Sequence, residues 1–78
     1  MVTLINIRKT GDNVSTSYIP ENSSEEGYIK LDLGGNVVES RLTSYDEEMP
    51  DYFSFAKREL KKLMRYDPMP EKSRVVWY

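Results

Sequence analysis

Length, composition and charge set the first limits on what this chain can be. Its 78 residues suffice for one small domain, residues 1–78, and are too few for a second. Hydrophobic residues make up 38% and charged residues 31%, a balance typical of a globular protein. Because the chain has no cysteine and no histidine, disulfides, thiolate metal sites and the commonest catalytic base are excluded, and we expect neither a metal nor a cofactor.

The net charge of −2 is unevenly distributed along the chain. Residues 11–51 carry ten acids against two bases, whereas residues 52–78 carry seven bases against three acids. The acidic balance argues against strong nonspecific nucleic-acid binding, and the basic C-terminal part keeps that class open. No stretch approaches the roughly 20 apolar residues of a membrane span, and the start lacks a signal-peptide pattern. We therefore expect a cytoplasmic protein without membrane contact.

The first part of the chain predicts a β-hairpin. Residues 2–9 are rich in β-branched and aliphatic side chains, which favour a strand. Residues 10–13 contain Gly, Asp and Asn, which tolerate positive φ angles and indicate a turn. A second strand, residues 14–19, ends at Pro20, which has no N–H for the ladder. Strict alternation along the first strand places Ile5 and Ile7 on one face and Val2 and Leu4 on the other.

Two further strands are predicted at residues 27–33 and 37–43, joined by a hairpin turn at Gly34-Gly35. Alternation in the third strand is the cleanest in the chain. It separates an apolar face from a mixed one, with Ile29, Leu31 and Leu33 pointing one way and Tyr28, Lys30 and Asp32 the other.

An amphipathic helix is predicted to begin at Pro50 or Asp51 and to end near Tyr66, ahead of Asp67-Pro68. Its apolar positions recur at spacings of three and four: Phe53, Ala56, Leu60, Leu63 and Met64. Residues 74–78 predict a short final strand. The expected fold is therefore α+β, a four- to five-stranded antiparallel sheet with one helix packed on one face, in the order β-β-β-β-α-β.

One helix leaves the second face of such a sheet uncovered, and this face is the first candidate site. Aromatic and aliphatic residues of the kind enriched at interfaces are expected there. They are Leu4, Tyr18, Tyr28, Val37, and either Trp77 or the Val76 and Tyr78 pair. The alternative is an ordinary half-exposed face on which scattered tyrosines have no partner.

The basic side of the predicted helix is the second candidate. Its bases can contact phosphates or an acidic protein, or they can form an ordinary solvated surface. They are Lys57, Arg58, Lys61, Lys62 and Arg65.

The acidic residues before the helix are a weaker candidate, because they suit the helix dipole as well as a hard cation. They lack the spacing and the glycine of an EF-hand loop, and they are Asp46, Glu47, Glu48 and Asp51. No nucleophile elbow, phosphate loop or zinc spacing is present, so we expect no catalytic residues and no enzyme activity.

Two resemblances accompany these patterns. Residues 1–5, the segment Gly27-Tyr28-Ile29 and the ending Val75-Val76-Trp77-Tyr78 resemble a group of short uncharacterised proteins of low-GC Gram-positive bacteria. This similarity covers most of the chain and implies a cytosolic bacterial protein, with no functional residues attached. Four strands followed by a helix also resembles the order in PC4-like transcriptional-coactivator domains, which dimerise and bind single-stranded DNA on an aromatic, basic sheet. The acidic balance and the scarcity of bases in residues 14–33 depart from that pattern.

The sequence therefore predicts a noncatalytic protein-interaction module. It would bind a second copy of itself or another protein through the uncovered sheet face or through a sheet edge. The alternative is a domain that binds single-stranded nucleic acid by aromatic stacking and through the helix bases.

Overall fold

A five-stranded antiparallel sheet with one main helix packed on it forms the described part of the chain. The computed structural model describes residues 1–48 and 50–77. In these ranges the elements are β1 Val2–Thr10, β2 Asn13–Pro20, β3 Gly27–Asp32, β4 Val37–Arg41, α1 Tyr45–Glu48, α2 Asp51–Leu63 and β5 Ser73–Val75. The strand order in the sheet is β4-β3-β2-β1-β5, and the paired strands are antiparallel. The predicted α+β fold is confirmed.

The predicted elements differ from the observed ones mainly at their ends. The short helix α1 was not predicted. Helix α2 begins at Asp51 as expected but ends at Leu63, where N–H groups of Met64 and Tyr66 bond back to the last turn. The final strand has three residues, and Tyr78 of the predicted strand lies outside the described residues. No helix in the described ranges is long and apolar enough to cross a membrane.

The core lies between α2 and one face of the sheet. Alternate residues of β2 and β3 point into it, because side chains in a strand alternate between faces. Its members are Val2, Leu4, Ile7, Val14, Tyr18, Ile29 and Leu31 from the sheet and Ala56, Leu60 and Leu63 from the helix. Helix α2 packs mainly over β1 and β2, with a smaller contact to β5. Strand β4 lies beyond the helix.

A β-bulge in β1 changes which residues face the core. Asn6 has a φ of 52°, and the β1–β2 register shifts between Ile5 and Arg8. The extra residue reverses the alternation, so Val2 and Leu4 before the bulge and Ile7 after it all lie in the core. The prediction that Ile7 shares a face with Ile5, opposite Val2 and Leu4, is therefore wrong.

Candidate functional site

The uncovered face of the sheet differs from the predicted one at Leu4 and Tyr18. Both side chains are 0% exposed and belong to the core beneath α2. Tyr18 pairs with Gly27, two residues from Ile29, so it shares the core face with Ile29. Their predicted place on the uncovered face is wrong, because a fully buried side chain cannot present itself to a partner in the folded protein.

Val37 and Trp77 also lie on the helix side. Val37 is exposed but pairs with Leu31, and residues directly opposite in a ladder share a face. The Trp77 ring stacks on Phe55 of α2 with ring centroids 4.3 Å apart and contacts Tyr52 edge-on at 5.6 Å. The predicted position of both residues on the uncovered face is therefore wrong, and the end of the chain packs against the helix.

Tyr28 is the predicted residue that does lie on the uncovered face, here called the outer face. Its neighbours are read from the strand register, in which directly paired residues share a face. One row across the sheet is Ile5, Ser17, Tyr28 and Arg41, and the next is Arg8, Ser15, Lys30 and Glu39. The outer face is thus more polar than predicted, with bases around one central tyrosine. The role of Tyr28 in binding stays a prediction.

The helix bases lie at the surface or close to it, and two of them contact their own protein. The guanidinium of Arg58 lies 5.3 Å from the centre of the Phe55 ring, which is cation–π geometry. The aliphatic stem of Lys61 covers the turn at Gly35, where an added Cβ atom would come within 2.7 Å of Lys61 Cε. These contacts give the bases a structural role. Their binding to nucleic acid remains a prediction.

The acidic segment contains a buried carboxylate that the sequence did not reveal. Asp46 is 4% exposed, and its Oδ2 accepts hydrogen bonds from Tyr18 Oη at 2.6 Å, Thr43 Oγ1 at 2.9 Å and Thr43 N at 3.1 Å. Its Oδ1 accepts from the backbone N of Phe53 at 2.9 Å, in the first turn of α2. Four donors occupy the carboxylate, which joins β2, α1 and α2 at one point. Within residues 1–48 and 50–77, no cluster of acidic side chains is arranged to hold a metal ion.

Local sequence explains how Asp46 reaches this position. The backbone N–H of Asp46 bonds to the carbonyl of Thr43 at 3.1 Å, while the Asp46 carboxylate bonds back to the Thr43 N–H. The bond from the Thr43 N–H to the Asp46 carboxylate is one half of a capping box at the start of α1; the Thr43 hydroxyl donates to Asp46 and does not accept from its N–H. Pro50 precedes α2 without a side-chain cap, so the Asp46 carboxylate also satisfies one of the free N–H groups of that helix.

Tyr18 fits under the helix because of the glycine opposite it. A Cβ atom added to Gly27 would lie 2.2 Å from the Tyr18 ring, so only glycine leaves room for the phenol to cross β3 toward Asp46. Burial, together with the hydrogen bond to Asp46, raises the pKa of Tyr18 far above its ordinary value, while the charge of Arg41 acts in the opposite direction. The phenol is therefore held as a neutral donor.

Strand β4 is the most exposed regular element of the sheet. It forms one edge, it pairs only with β3 among the described residues, and all five of its residues are exposed. Val38 and the adjoining Leu42 are each 55% exposed, and Leu33 and Val37 add to this apolar surface. An open edge of this kind presents unpaired backbone N–H and C=O groups to any extended chain.

Carboxylates hold β4 at both ends. Before the strand, the Asp32 carboxylate accepts hydrogen bonds from the backbone N of Gly34 and of Asn36, each at 2.9 Å. The hydrogen bonds from Asn36 stabilise the charged carboxylate, and they are the main reason that the pKa of Asp32 lies below its ordinary value. After the strand, Thr43 is tied to Asp46, and Ser44 Oγ donates to Glu25 Oε2 at 2.5 Å. The exposed edge is thus a fixed strand between two anchored turns.

The sequence pattern located Tyr28 and the fourth strand and included Asp46 among the acidic residues, but it did not show that Asp46 is buried or that the β4 edge is so exposed. A signal for the second strand was present, because Ser15 and Ser17 alternate with Val14, Thr16 and Tyr18. Small polar residues on one face indicate that the other face is the buried one. The spacing of Thr43 and Asp46 also fits a capping box.

Comparison of the chain with protein families, with curated proteins and with solved structures finds no match.

Proposed function

We propose that this protein is a noncatalytic interaction module that binds an extended protein chain along the free edge of β4, in a cytoplasmic setting. The observation that carries the proposal is that β4 is an edge strand with all five residues exposed and with apolar side chains around it. Strand addition would supply main-chain hydrogen bonds for affinity and side-chain contacts for specificity.

The anchoring of β4 supports this use of the edge. Association costs free energy for every loop or side chain that must be ordered on binding. The Asp32 turn and the Thr43–Asp46 cap already hold the two ends of the strand in position. A partner would therefore meet a template that is ordered in advance.

The chemistry of the buried carboxylate supports a noncatalytic role. Asp46 is the most enclosed acidic group described, and its two oxygens accept four hydrogen bonds from its own chain. A buried carboxylate that is hydrogen-bonded in this way to its own chain stabilises the fold and is shielded from a substrate.

A pull-down with matched variants tests the proposal. Wild type and Ser40→Pro would be immobilised, with Arg74→Pro on the opposite edge as the control. Proline removes a backbone N–H and obstructs pairing at the position it occupies. We expect wild type and Arg74→Pro to retain the same protein from a host extract, identified by mass spectrometry, and Ser40→Pro to lose it.

The pull-down compares binding only if every variant is folded. Circular dichroism and a thermal melt of each variant therefore accompany it. Where Ser40→Pro unfolds, Val38→Lys replaces it, because lysine on an edge strand opposes pairing without removing an N–H. A retained protein that is indifferent to both β4 variants would contradict binding through this edge.

A second candidate is single-stranded nucleic-acid binding, and one specific observation favours it. The outer face carries Arg8 on β1, Lys30 on β3 and Arg41 on β4, with Tyr28 on β3 between them, an arrangement of bases and one aromatic ring suited to a strand of nucleotides. Titration of the ¹⁵N-labelled chain with an oligothymidine at low salt tests this idea. We expect shifts centred on Tyr28 that vanish in Tyr28→Ala and weaken with salt. An unchanged spectrum would remove the candidate.

A further inference from the structure

We propose that the extended chain bound by β4 is the β4 strand of a second copy of this protein, paired antiparallel about a two-fold axis through Ser40. This inference rests on the proposed use of the β4 edge and adds the partner and the register. The charge pattern of the strand and its flanking residues, Val38-Glu39-Ser40-Arg41-Leu42, supports this pairing, with Leu42 lying just past the end of β4.

The geometry of a sheet edge limits the registers that two identical strands can adopt. The register of β4 against β3 shifts at Val38 and is regular from Glu39 to Arg41. In a regular antiparallel ladder, hydrogen-bonded residues alternate along each strand, so in Glu39–Arg41 only every second residue directs its N–H and C=O to the free edge. Two copies related by a two-fold axis must pair such residues with each other. The axis therefore passes through a residue, and never between two residues.

Charge selects one register from this small set. An axis through Glu39 or through Arg41 places that residue against its own copy, and like charges directly opposite are destabilising. An axis through Val38 leaves Glu39 opposite Val37. An axis through Ser40 places each Glu39 opposite an Arg41 of the other copy, which forms two favourable pairs at once.

The same register continues a charge pattern already present in the sheet. Glu39 pairs with Lys30 of β3, and Arg41 pairs with Tyr28, all on the outer face. Across the joined edges a row would then run Lys30, Glu39, Arg41 and Tyr28, with the last two from the second copy. Opposite charges alternate along this row, and the aromatic ring ends it.

Apolar side chains flank the place where the two copies would meet. Val38 and Leu42 are each 55% exposed; Val38 lies at the register shift of β4, Leu42 lies just past the strand, and the Ser40 axis would bring each near the other's copy. Ser40 pairs with the buried Ile29, so Ser40 itself lies on the helix side. Because α2 packs mainly over β1 and β2, the two paired β4 strands would form the floor of a groove between the α2 helices of the two copies.

Charge reversal tests the partner and the register together. We expect sedimentation equilibrium to show a wild-type dimer, with the dissociation constant rising about tenfold or more in Arg41→Glu and in Glu39→Arg. Mixing these two variants should restore a dimer, because both facing pairs of the mixed dimer then become Arg against Glu. Arg74→Glu makes the same charge change on β5 and should leave the dimer unchanged.

Cross-linking tests the register without altering charge. The chain has no cysteine, so each introduced thiol is unique. Ser40→Cys would stand opposite itself, with Cα atoms about 4.5–5.5 Å apart, inside the range of a disulfide. Oxidation should give a covalent dimer from Ser40→Cys and none from Glu39→Cys. The charge of Arg41 acts on Tyr18 in the Tyr18–Asp46 site, so a loss of fold in Arg41→Glu would have a cause unrelated to pairing. In that case the cross-linking experiment alone tests the register.

The outcomes separate this inference from the proposed function. A wild-type chain that stays monomeric at millimolar concentration, or a dimer that neither charge variant weakens, overturns self-pairing. If Ser40→Pro still loses a different host protein in that case, the edge binds another chain and the proposed function stands. If no protein requires β4 for binding, both the self-pairing and the proposed function are overturned.

Discussion

The two edge strands of the sheet, β5 and β4, differ in length and in their contacts with the helix. Strand β5 has three residues, its Ser73 hydroxyl donates to Glu59 of α2 at 2.5 Å, and the following Trp77 stacks on Phe55 of the same helix. Strand β4 has five residues, and every one of them is exposed. The β5 edge is short and tied to the helix, whereas the β4 edge lies beyond the helix.

This difference shows that the exposure of β4 is more than a consequence of small size. Proteins commonly blunt edge strands by shortening them, by covering them or by placing lysine or proline on them. The β5 edge is shortened to three residues, whereas β4 has neither proline nor lysine within Val37–Arg41 and has one register shift, at Val38. One edge is short and tied to the helix, and the other is longer, exposed and anchored at both ends, which is the difference on which the proposed binding edge rests.

The largest expected effect tests the covered part of the sheet. Gly27→Ala should lower the free energy of unfolding by about 3 kcal/mol, because the new Cβ atom meets the Tyr18 ring in a closed core. Urea denaturation followed by circular dichroism measures the change. Gly34→Ala is the matched control, since its nearest neighbours lie at 3.3 Å and belong to an exposed turn, and it should cost less than about 1 kcal/mol. Equal effects at the two glycines would contradict the packing of Tyr18 over β3.

The next effect tests the Tyr18–Asp46 bond at the anchored end of β4. Tyr18→Phe should lower the free energy of unfolding by about 1–2 kcal/mol at neutral pH, because a buried carboxylate loses one donor. The chain should otherwise keep its fold, because the aromatic ring and its contacts are retained.

The pH dependence of the same variant has a definite sign. The pKa of Tyr18 is raised in the folded protein, so its contribution to stability is complete below the unfolded value near 10 and is lost as pH rises above it. Wild type should therefore lose stability more steeply than Tyr18→Phe above about pH 10. The gap between the two proteins should shrink by about 1.4 kcal/mol for each further pH unit. Parallel curves from pH 9 to 11.5 would show that the phenol ionises freely in the folded state.

The sequence predicted the order of strands and helix along the chain because its signals are local, and it left open where the final strand joins the sheet. Alternation over residues 27–33, the Gly34-Gly35 turn and the helical spacing from Phe53 to Leu63 each depend on neighbours within a few positions. The assignment of residues to the two sheet faces was wrong where it depends on structural features outside the local sequence pattern. A single extra residue at Asn6 reverses the alternation of β1, and one asparagine, although it tolerates a positive φ, does not by itself indicate a bulge within a strand.

The candidate site was predicted least well, since it depends on contacts between distant residues. Tyr18 was assigned to the outer face because tyrosine is common on half-exposed strands, but Gly27 and Asp46 together create a buried position for its ring and its hydroxyl. The exposure of β4 depends on which strands α2 covers. The amphipathic pattern shows which side of a helix is apolar, and it does not show which strands that side packs against.

The smallest expected effect compares two valines in the two regions. Val14→Ala removes a 1% exposed side chain beneath α2 and should cost about 2 kcal/mol, from lost burial and the cavity left behind. Val38→Ala makes the same change at a 55% exposed position on β4 and should shift stability by less than about 0.5 kcal/mol at micromolar concentration.

Protein concentration sharpens this last comparison. A partner that binds only the folded chain adds stability that grows with its concentration. If β4 pairs with a second copy, wild type should gain stability between micromolar and millimolar chain, Val38→Ala should gain less, and the two valine variants should move closer together in unfolding midpoint. A Val38→Ala cost that is large already at micromolar concentration would mean that β4 is packed within the single chain, and the contrast between the two edges would then be lost.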